Sequence, residues 1–232
     1  APLMGGVFLL IMRNPGAMAD AGALNTKVKM MGMAADWQSY LSILTQAIGV
    51  GGVLIFGFIA SWLFGREYTD GTAKDLFSLP ASKTNILNAK FVVYLVWCIL
   101  LAVSNLLVGL LIGLALQLPL TETGWIAAGM STYGLTGVMT IFLGSPIALF
   151  AIWGKGYMPP LGFVALTLVF AQVIGAAGYG AYFPWSVPGL YSGSGGAYKE
   201  QLNGLSYGIL VLMSIAGYFA TVLYWRYADQ KK

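Results

Sequence analysis

The chain has 232 residues, of which 58% are hydrophobic and 9% are charged, and its mean hydropathy is +0.78. Soluble globular domains carry about 25% charged residues, so this composition excludes that class and indicates an integral membrane protein. Histidine is absent, and Cys98 is the single cysteine. A disulfide framework, a cysteine or histidine metal site and the commonest general base are therefore excluded, and we expect no catalytic residue and no metal ligand.

Apolar runs of spanning length recur along the chain, and a helix needs about 20 residues to cross the hydrocarbon core. They predict an all-α membrane protein: a single transmembrane domain over residues 1–232, built as a six-helix bundle. The first run is too short to cross, so we expect a span truncated at its N-terminus; a signal peptide is disfavoured because no basic region leads it. The predicted spans are about 1–12 (partial), 41–64, 91–116, 135–153, 161–177 and 205–225.

The distribution of Lys and Arg predicts the orientation of the bundle. Six spans place the 65–90 loop, the 154–160 loop and the C-terminal tail on one side. Cytoplasmic loops carry an excess of Lys and Arg, so the richer side is expected in the cytoplasm. That side has eight such residues, namely Arg66, Lys74, Lys83, Lys90, Lys155, Arg226, Lys231 and Lys232, against Arg13, Lys27, Lys29 and Lys199 opposite.

The five complete spans contain no Asp, Glu, Lys or Arg away from their ends. Ion-coupled carriers place ionisable groups at membrane depth, so this chain is not expected to power transport by itself. The interior polar residues include Gln46, Asn105 and Gln172. They are candidates for a substrate path, and hydrogen bonding between helices is the alternative.

Proline and glycine mark two further features of the spans and one of the segment outside them. Ser145-Pro146 is predicted to interrupt the fourth span, because proline lacks a backbone donor. Gly109 and Gly113 have the spacing of close helix packing, which in lipid is more often generic than specific to a dimer. The external segment 179–204 is rich in aromatics and proline, which indicates an outer interface or a re-entrant cap.

Charges, helix signals and helix breakers are concentrated in the 65–90 loop. Thr72-Ala73-Lys74-Asp75 fits a capping box, and Pro80 ends the short helix that would follow. Ser82 is predicted to cap a new helix that runs through Lys90 into the third span. From these residues alone, the loop is either a docking element for a partner or a connector lying on lipid headgroups.

The loop resembles the signature of ABC-2 type transporter permeases, in particular antibiotic-export permeases of the bacitracin type. The resemblance lies in Glu67-x-x-x-Gly71-Thr72, in Leu79-Pro80-x-Ser82-Lys83 and in Lys90, although Lys83 stands where arginine is frequent. It implies a type V exporter-like bundle in which 65–90 is a cytoplasmic segment coupled to an ATPase. The positions carried over by the resemblance are Glu67, Gly71, Thr72, Leu76, Phe77, Leu79, Pro80, Ser82 and Lys83.

The sequence has no Gly-x-x-x-x-Gly-Lys-[Ser/Thr] phosphate loop, so the chain is not expected to be an enzyme or to bind ATP. The resemblance implies a separate ABC ATPase subunit that holds ATP and Mg, a second permease copy forming a homodimer, and a bacterial plasma membrane. It also implies export. The uncharged interior of the spans, rich in Met, Phe and Gly, favours an amphipathic or hydrophobic substrate, such as a peptide antibiotic, drug or lipid-like molecule, and a role in antibiotic or multidrug resistance is expected. Membrane lipids are expected partners and nucleic acid is not. The alternative is a scaffold or sensor subunit that docks a cytosolic partner through 65–90.

Overall fold

The structure is a computed structural model, and it describes residues 2–13, 36–72, 82–119 and 124–227. The regular elements in these ranges are all helical, as predicted. In chain order they are α1 (Pro2–Arg13), α2 (Trp37–Gln46), a π-helical turn (Ala47–Gly51), α3 (Gly52–Thr69), α4 (Lys83–Ala115), α5 (Trp125–Phe142), α6 (Gly144–Trp153), α7 (Met158–Ala176), a 3-10 turn (Gly180–Tyr182), α8 (Val187–Tyr191), a 3-10 turn (Gly196–Gln201) and α9 (Gly204–Tyr227).

In the described part of the chain, five helical stretches are long and apolar enough to cross a membrane. The described α1 has 12 residues and does not reach that length. Two of the five stretches join consecutive helices, α2 with α3 and α5 with α6. The stretches are Trp37–Thr69, Lys83–Ala115, Trp125–Trp153, Met158–Ala176 and Gly204–Tyr227.

The junction between α2 and α3 is a π-helical turn, in which one extra residue bulges from the helix. The short α8 packs against this turn. A Cβ added at Gly49 would lie 2.7 Å from the carbonyl oxygen of Pro188. Glycine at position 49 therefore permits a backbone approach that a larger residue would block.

The predicted interruption of the fourth span is confirmed, since α5 ends at Phe142 and α6 begins at Gly144. The Ser145 hydroxyl lies 2.6 Å from the carbonyl oxygen of Ser214 on α9, to which it donates. A Cβ added at Gly217 would lie 2.6 Å from the backbone nitrogen of Pro146. The break thus lies where α6 and α9 make close backbone contact.

Gly109 and Gly113 on α4 pack against α2 within the same chain. A Cβ at Gly109 would overlap the Leu44 side chain, and one at Gly113 would overlap the Trp37 ring. This is the generic close packing that the sequence indicated, made inside the bundle.

The largest buried cluster joins α3, α4, α6 and α9, with members from α5 and α7. Phe64, Leu87 and Ala151 in it are fully buried. Large apolar side chains such as Val96, Leu107 and Leu111 on α4 point away from the bundle instead. That outer face suits contact with lipid tails, where apolar exposure carries no penalty.

The segment between α7 and α9 folds back onto the bundle. Its short helix α8 contacts α5 and the π-helical turn. Ala181, Trp185, Val187 and Leu190 of this segment are buried. The segment therefore closes one end of the bundle through side chains packed inside it.

Candidate functional site

Two opposite charges connect the ends of the 65–90 loop. Glu67 lies in the last turn of α3, and Lys90 lies about two turns into α4. The Lys90 Nζ is 2.5 Å from a Glu67 carboxylate oxygen, and their side chains are only 10% and 14% exposed. The two helices that flank the loop are thus joined by a largely buried ion pair.

The Lys90 ammonium has further partners on two other sides. Its Nζ donates to the Leu63 carbonyl oxygen at 2.9 Å. It also lies 5.9 Å from the centre of the Phe64 ring and 5.8 Å from that of the Trp225 ring, within the range of cation–π attraction. Because Trp225 belongs to α9, this one ammonium group on α4 contacts both α3 and α9.

Aromatic contacts surround the ion pair and connect the same three helices. Phe91 on α4 lies 4.7 Å from Phe64 on α3 and 5.1 Å from Tyr218 on α9, between ring centres. The Tyr218 hydroxyl donates to the Asn88 side-chain oxygen at 2.9 Å. The two helices at the loop ends are therefore joined to α9 through packed rings as well as through the Lys90 ammonium.

Arg66 is much more exposed than the adjacent Glu67. Its side chain is 46% exposed, and its Nε is 3.8 Å from Glu67. The guanidinium lies 4.7 Å from the centre of the Trp62 ring. An exposed pair at this distance contributes little, so the tight partner of Glu67 is Lys90.

The predicted loop residues that the structure describes lie at the two helix ends. Gly71 follows α3 with φ +74, the left-handed conformation that commonly ends a helix at glycine. Thr72 and Lys83 are exposed. The predicted cap at Ser82 is confirmed, because its hydroxyl oxygen accepts from the backbone N–H of Asn85 at 3.2 Å. Four predicted residues, Leu76, Phe77, Leu79 and Pro80, lie outside the described residues, as does the rest of the capping box.

Gly65 is a feature of this site that the sequence did not single out. A Cβ at this position would lie 2.5 Å from the backbone carbon of Gly156 and 2.6 Å from the backbone nitrogen of Tyr157. The turn before α7 therefore touches the backbone of α3 at the start of the 65–90 loop, one helical turn before α3 ends at Thr69. The signal in the sequence is a glycine between large side chains. Such glycines are too common in this chain to identify this contact.

The three candidate substrate-path residues are not brought together. The Gln46 amide donates to Ser42 in its own helix at 3.2 Å. The Asn105 amide donates to the Tyr133 hydroxyl at 3.0 Å, which links α4 to α5. Asn105 lines one cavity of about 270 Å³, and Gln172 lines another of about 220 Å³ at the end of α7.

Comparison with known proteins identifies the family of the chain. The family model of ABC-2 family transporter proteins matches residues 6–173. The chain is 29% identical over 178 residues to the bacitracin transport permease protein BCRB of Bacillus licheniformis, a match that covers 77% of this chain and 85% of that protein. No solved structure matches the chain. The chain therefore belongs to the ABC-2 transporter family, as a multi-pass membrane subunit of a transporter that works with a separate ABC ATPase subunit.

Proposed function

We propose that this chain is the permease of an ATP-driven exporter and that the 65–90 loop receives the motion of the ATPase subunit. The observation that supports this proposal is the Glu67–Lys90 pair, which joins both ends of the loop to each other and to α9. Displacement of the loop would move α3 and α4 together and press on Trp225. ATP and Mg belong to the partner subunit, and the permease supplies the moving helices.

The proposed cargo is an amphipathic or hydrophobic molecule, with a peptide antibiotic as the first class to test. The spans carry no charge at mid-depth, which does not suit a small ion. The similar Bacillus licheniformis protein is described as a bacitracin transport permease. We propose two permease copies per transporter in the plasma membrane, each above one ATPase subunit.

The coupling proposal is tested by the double substitution Leu76→Asp with Phe77→Asp in the chain co-expressed with its ATPase subunit. We expect co-purification of the ATPase to fall by about tenfold or more, because each carboxylate would have to be desolvated on docking. Stimulated ATP turnover and bacitracin resistance of a sensitive host should fall with it.

Asn85→Asp is the control, since it adds one charge at an exposed position in the same loop, where the helix α4 has already begun. It should leave assembly and turnover unchanged. If the double variant retains both, the loop is not the coupling element. Binding of the ATPase without any stimulation of turnover by the wild-type chain would favour a scaffold subunit instead.

Orientation is tested by labelling introduced cysteines with a membrane-impermeant maleimide in intact cells. The native Cys98 is fully buried, so we expect it to contribute no background. Tyr198→Cys replaces an exposed residue of the external segment and should label in intact cells. Asn85→Cys is also exposed and should label only after the membrane is opened. The reverse pattern would overturn the cytoplasmic placement of the 65–90 loop.

A further inference from the structure

The break between α5 and α6 leaves the carbonyl oxygen of Phe142 without its usual donor. In a continuous helix this oxygen would accept from the amide of residue 146, which is a proline and has no N–H. The Ser145 hydroxyl donates to it at 3.0 Å instead. A backbone inside a bilayer has no water to bond, so side chains have to replace the missing donor.

A second donor at the break comes from another helix. The Tyr94 hydroxyl on α4 donates to the Ile141 carbonyl oxygen in the last turn of α5 at 2.8 Å, and Tyr94 is 2% exposed. Gly144 begins α6 beside it, and a Cβ at that position would overlap the Tyr94 hydroxyl. The tyrosine therefore reaches the end of α5 only because residue 144 has no side chain.

The two sides of the break are bonded to different helices. Tyr94 joins the end of α5 to α4. On the other side, Ser145 near the start of α6 donates to the Ser214 carbonyl oxygen of α9 at 2.6 Å. Pro146 also packs against the backbone of α9 at Gly217. A relative movement of α4 and α9 would therefore act on the angle between α5 and α6.

The same face of α4 carries the ion pair at the ends of the 65–90 loop. Tyr94 follows Lys90 by four residues, about one helical turn, and both are buried. Lys90 is joined to Glu67 at the other end of the loop and lies beside Trp225 on α9. The loop ends are thus connected to the break through one turn of helix and one hydrogen bond.

From the break, α5 continues the connection to the segment between α7 and α9. The Thr140 hydroxyl, one residue before Ile141, donates to the Thr136 carbonyl oxygen and lies 3.4 Å from the Ile48 carbonyl oxygen in the π-helical turn. The short helix α8 packs against both α5 and this turn. A change in the position of α5 would therefore reach the segment that closes one end of the bundle.

We propose that Tyr94 is a positioning residue for transport, whose hydroxyl sets the angle at the α5–α6 break and changes it when α4 moves. This rests on the function proposed above, in which the 65–90 loop receives the motion of the ATPase subunit. Tyr94 passes that motion from α4 to α5, while Ser145 connects α6 to α9. A tyrosine that only satisfied a carbonyl oxygen would stabilise the fold without controlling the angle.

The test measures the angle at the break in the complex of permease and ATPase subunit in lipid nanodiscs. Spin labels are placed on cysteines at positions 135 and 153, where Leu135 on α5 and Trp153 at the end of α6 are exposed. The two positions would lie about 27 Å apart along a straight helix. Pulsed electron paramagnetic resonance gives their distance with and without a non-hydrolysable ATP analogue. Labelled chains are diluted with unlabelled ones to exclude distances between copies.

Tyr94→Phe keeps the ring and removes only the hydroxyl. We expect the analogue to shift the distance in the parent chain, and we expect this shift to be lost in Tyr94→Phe. Transport should fall by at least about fivefold, the effect of about one buried hydrogen bond. Co-purification of the ATPase subunit should be unchanged, because the 65–90 loop is not altered.

Tyr133→Phe is the matched control. Tyr133 is 6% exposed, and its hydroxyl on α5 donates at 2.7 Å to the Ala102 carbonyl oxygen, which lies within the unbroken α4. This variant should lower the unfolding temperature about as much as Tyr94→Phe, and it should keep the distance shift and transport. The Cys98 thiol lies beside the Tyr94 hydroxyl, and Cys98→Ala should likewise keep both.

A second variant supplies a donor that is not attached to α4. In Tyr94→Leu with Gly144→Ser, the shorter leucine vacates the space beside residue 144, and a helical serine can donate to the carbonyl oxygen of Ile141 three residues earlier. The distance shift and transport should still be lost. Their recovery would show that Tyr94 only satisfies a carbonyl oxygen, and would overturn the proposal.

Three further results would overturn it: a parent chain whose distance does not shift, an equal shift in Tyr94→Phe, or an equal loss in Tyr133→Phe. Each of them can occur while the ATPase subunit docks and its turnover is stimulated, so the coupling proposal would stand. Failure of the coupling proposal is recognised separately, from the double substitution of Leu76 and Phe77, which leaves the break unaltered.

Discussion

Replacing Lys90 with methionine is expected to destabilise the protein by about 3–5 kcal/mol, because it leaves the Glu67 carboxylate largely buried without its cation. The Glu67 side chain is 14% exposed, so little water is available to replace the ammonium. Contacts to the Leu63 carbonyl and to Trp225 would be lost at the same time. Thermal unfolding in detergent, followed by tryptophan fluorescence, measures the loss.

The double variant Glu67→Leu with Lys90→Met separates stability from coupling. Replacing a buried ion pair by apolar residues is often neutral or stabilising, so the double variant should recover the wild-type unfolding temperature. If the pair also transmits motion, transport by this folded variant stays at least about tenfold below wild type. Recovery of both properties would reduce the pair to a structural role.

Arg66→Gln is the matched single substitution for this series. It removes an exposed cation 3.8 Å from the same carboxylate and should change stability by less than about 0.5 kcal/mol. A Lys90→Met protein as stable as Arg66→Gln would show that the Glu67–Lys90 pair contributes no more than a surface contact.

Gly65→Ala is expected to destabilise the protein by about 1–3 kcal/mol, which is the usual cost of overpacking. The added Cβ would lie 2.5 Å from the backbone carbon of Gly156 and 2.6 Å from that residue's carbonyl oxygen. Backbone atoms cannot change rotamer, so either α3 or the turn before α7 must shift. Since Glu67 follows by two residues, ATP-dependent transport should fall as well.

Gly162→Ala on α7 is the control for the added methyl group. No atom lies within 4 Å of a Cβ at this position. The substitution should be neutral or slightly stabilising, because alanine is the better helix former. Equal unfolding temperatures for the two alanine variants would contradict the close backbone contact at Gly65.

The helical class of this protein could be predicted from its sequence, and the reason is physical. Within lipid, a backbone has no water to bond, so an apolar run of about 20 residues must satisfy its own amides as a helix. The helix start at Ser82 and the helix break near Pro146 could also be predicted. The Ser82 hydroxyl caps the helix that begins at the next residue, and Pro146 lacks a backbone donor, so both act on residues close in sequence.

The partners of the same residues could not be predicted in this way. Glu67 and Lys90 are recognisable in the sequence as charged residues of the loop. Because the loop separates them, helical periodicity does not indicate how far apart their side chains lie. Likewise, nothing local indicates that Asn105 bonds to Tyr133 while Gln172 faces a cavity. If one helix were rotated about its axis, a different polar residue would face the neighbouring helix or the cavity. The apolar runs in the sequence would be the same in both cases, so they do not distinguish the two arrangements.

The sequence by itself determined the membrane class, the helical class and, through the 65–90 loop, the resemblance to the family to which the chain belongs. The tertiary structure alone decided that Lys90 contacts Glu67 and Trp225 together, and that Trp185 closes a cavity beside Gln172. Apolar length and capping act within a few residues of the chain. Ion pairs and cavities depend on how whole helices are rotated and packed, which is settled by all their contacts at once.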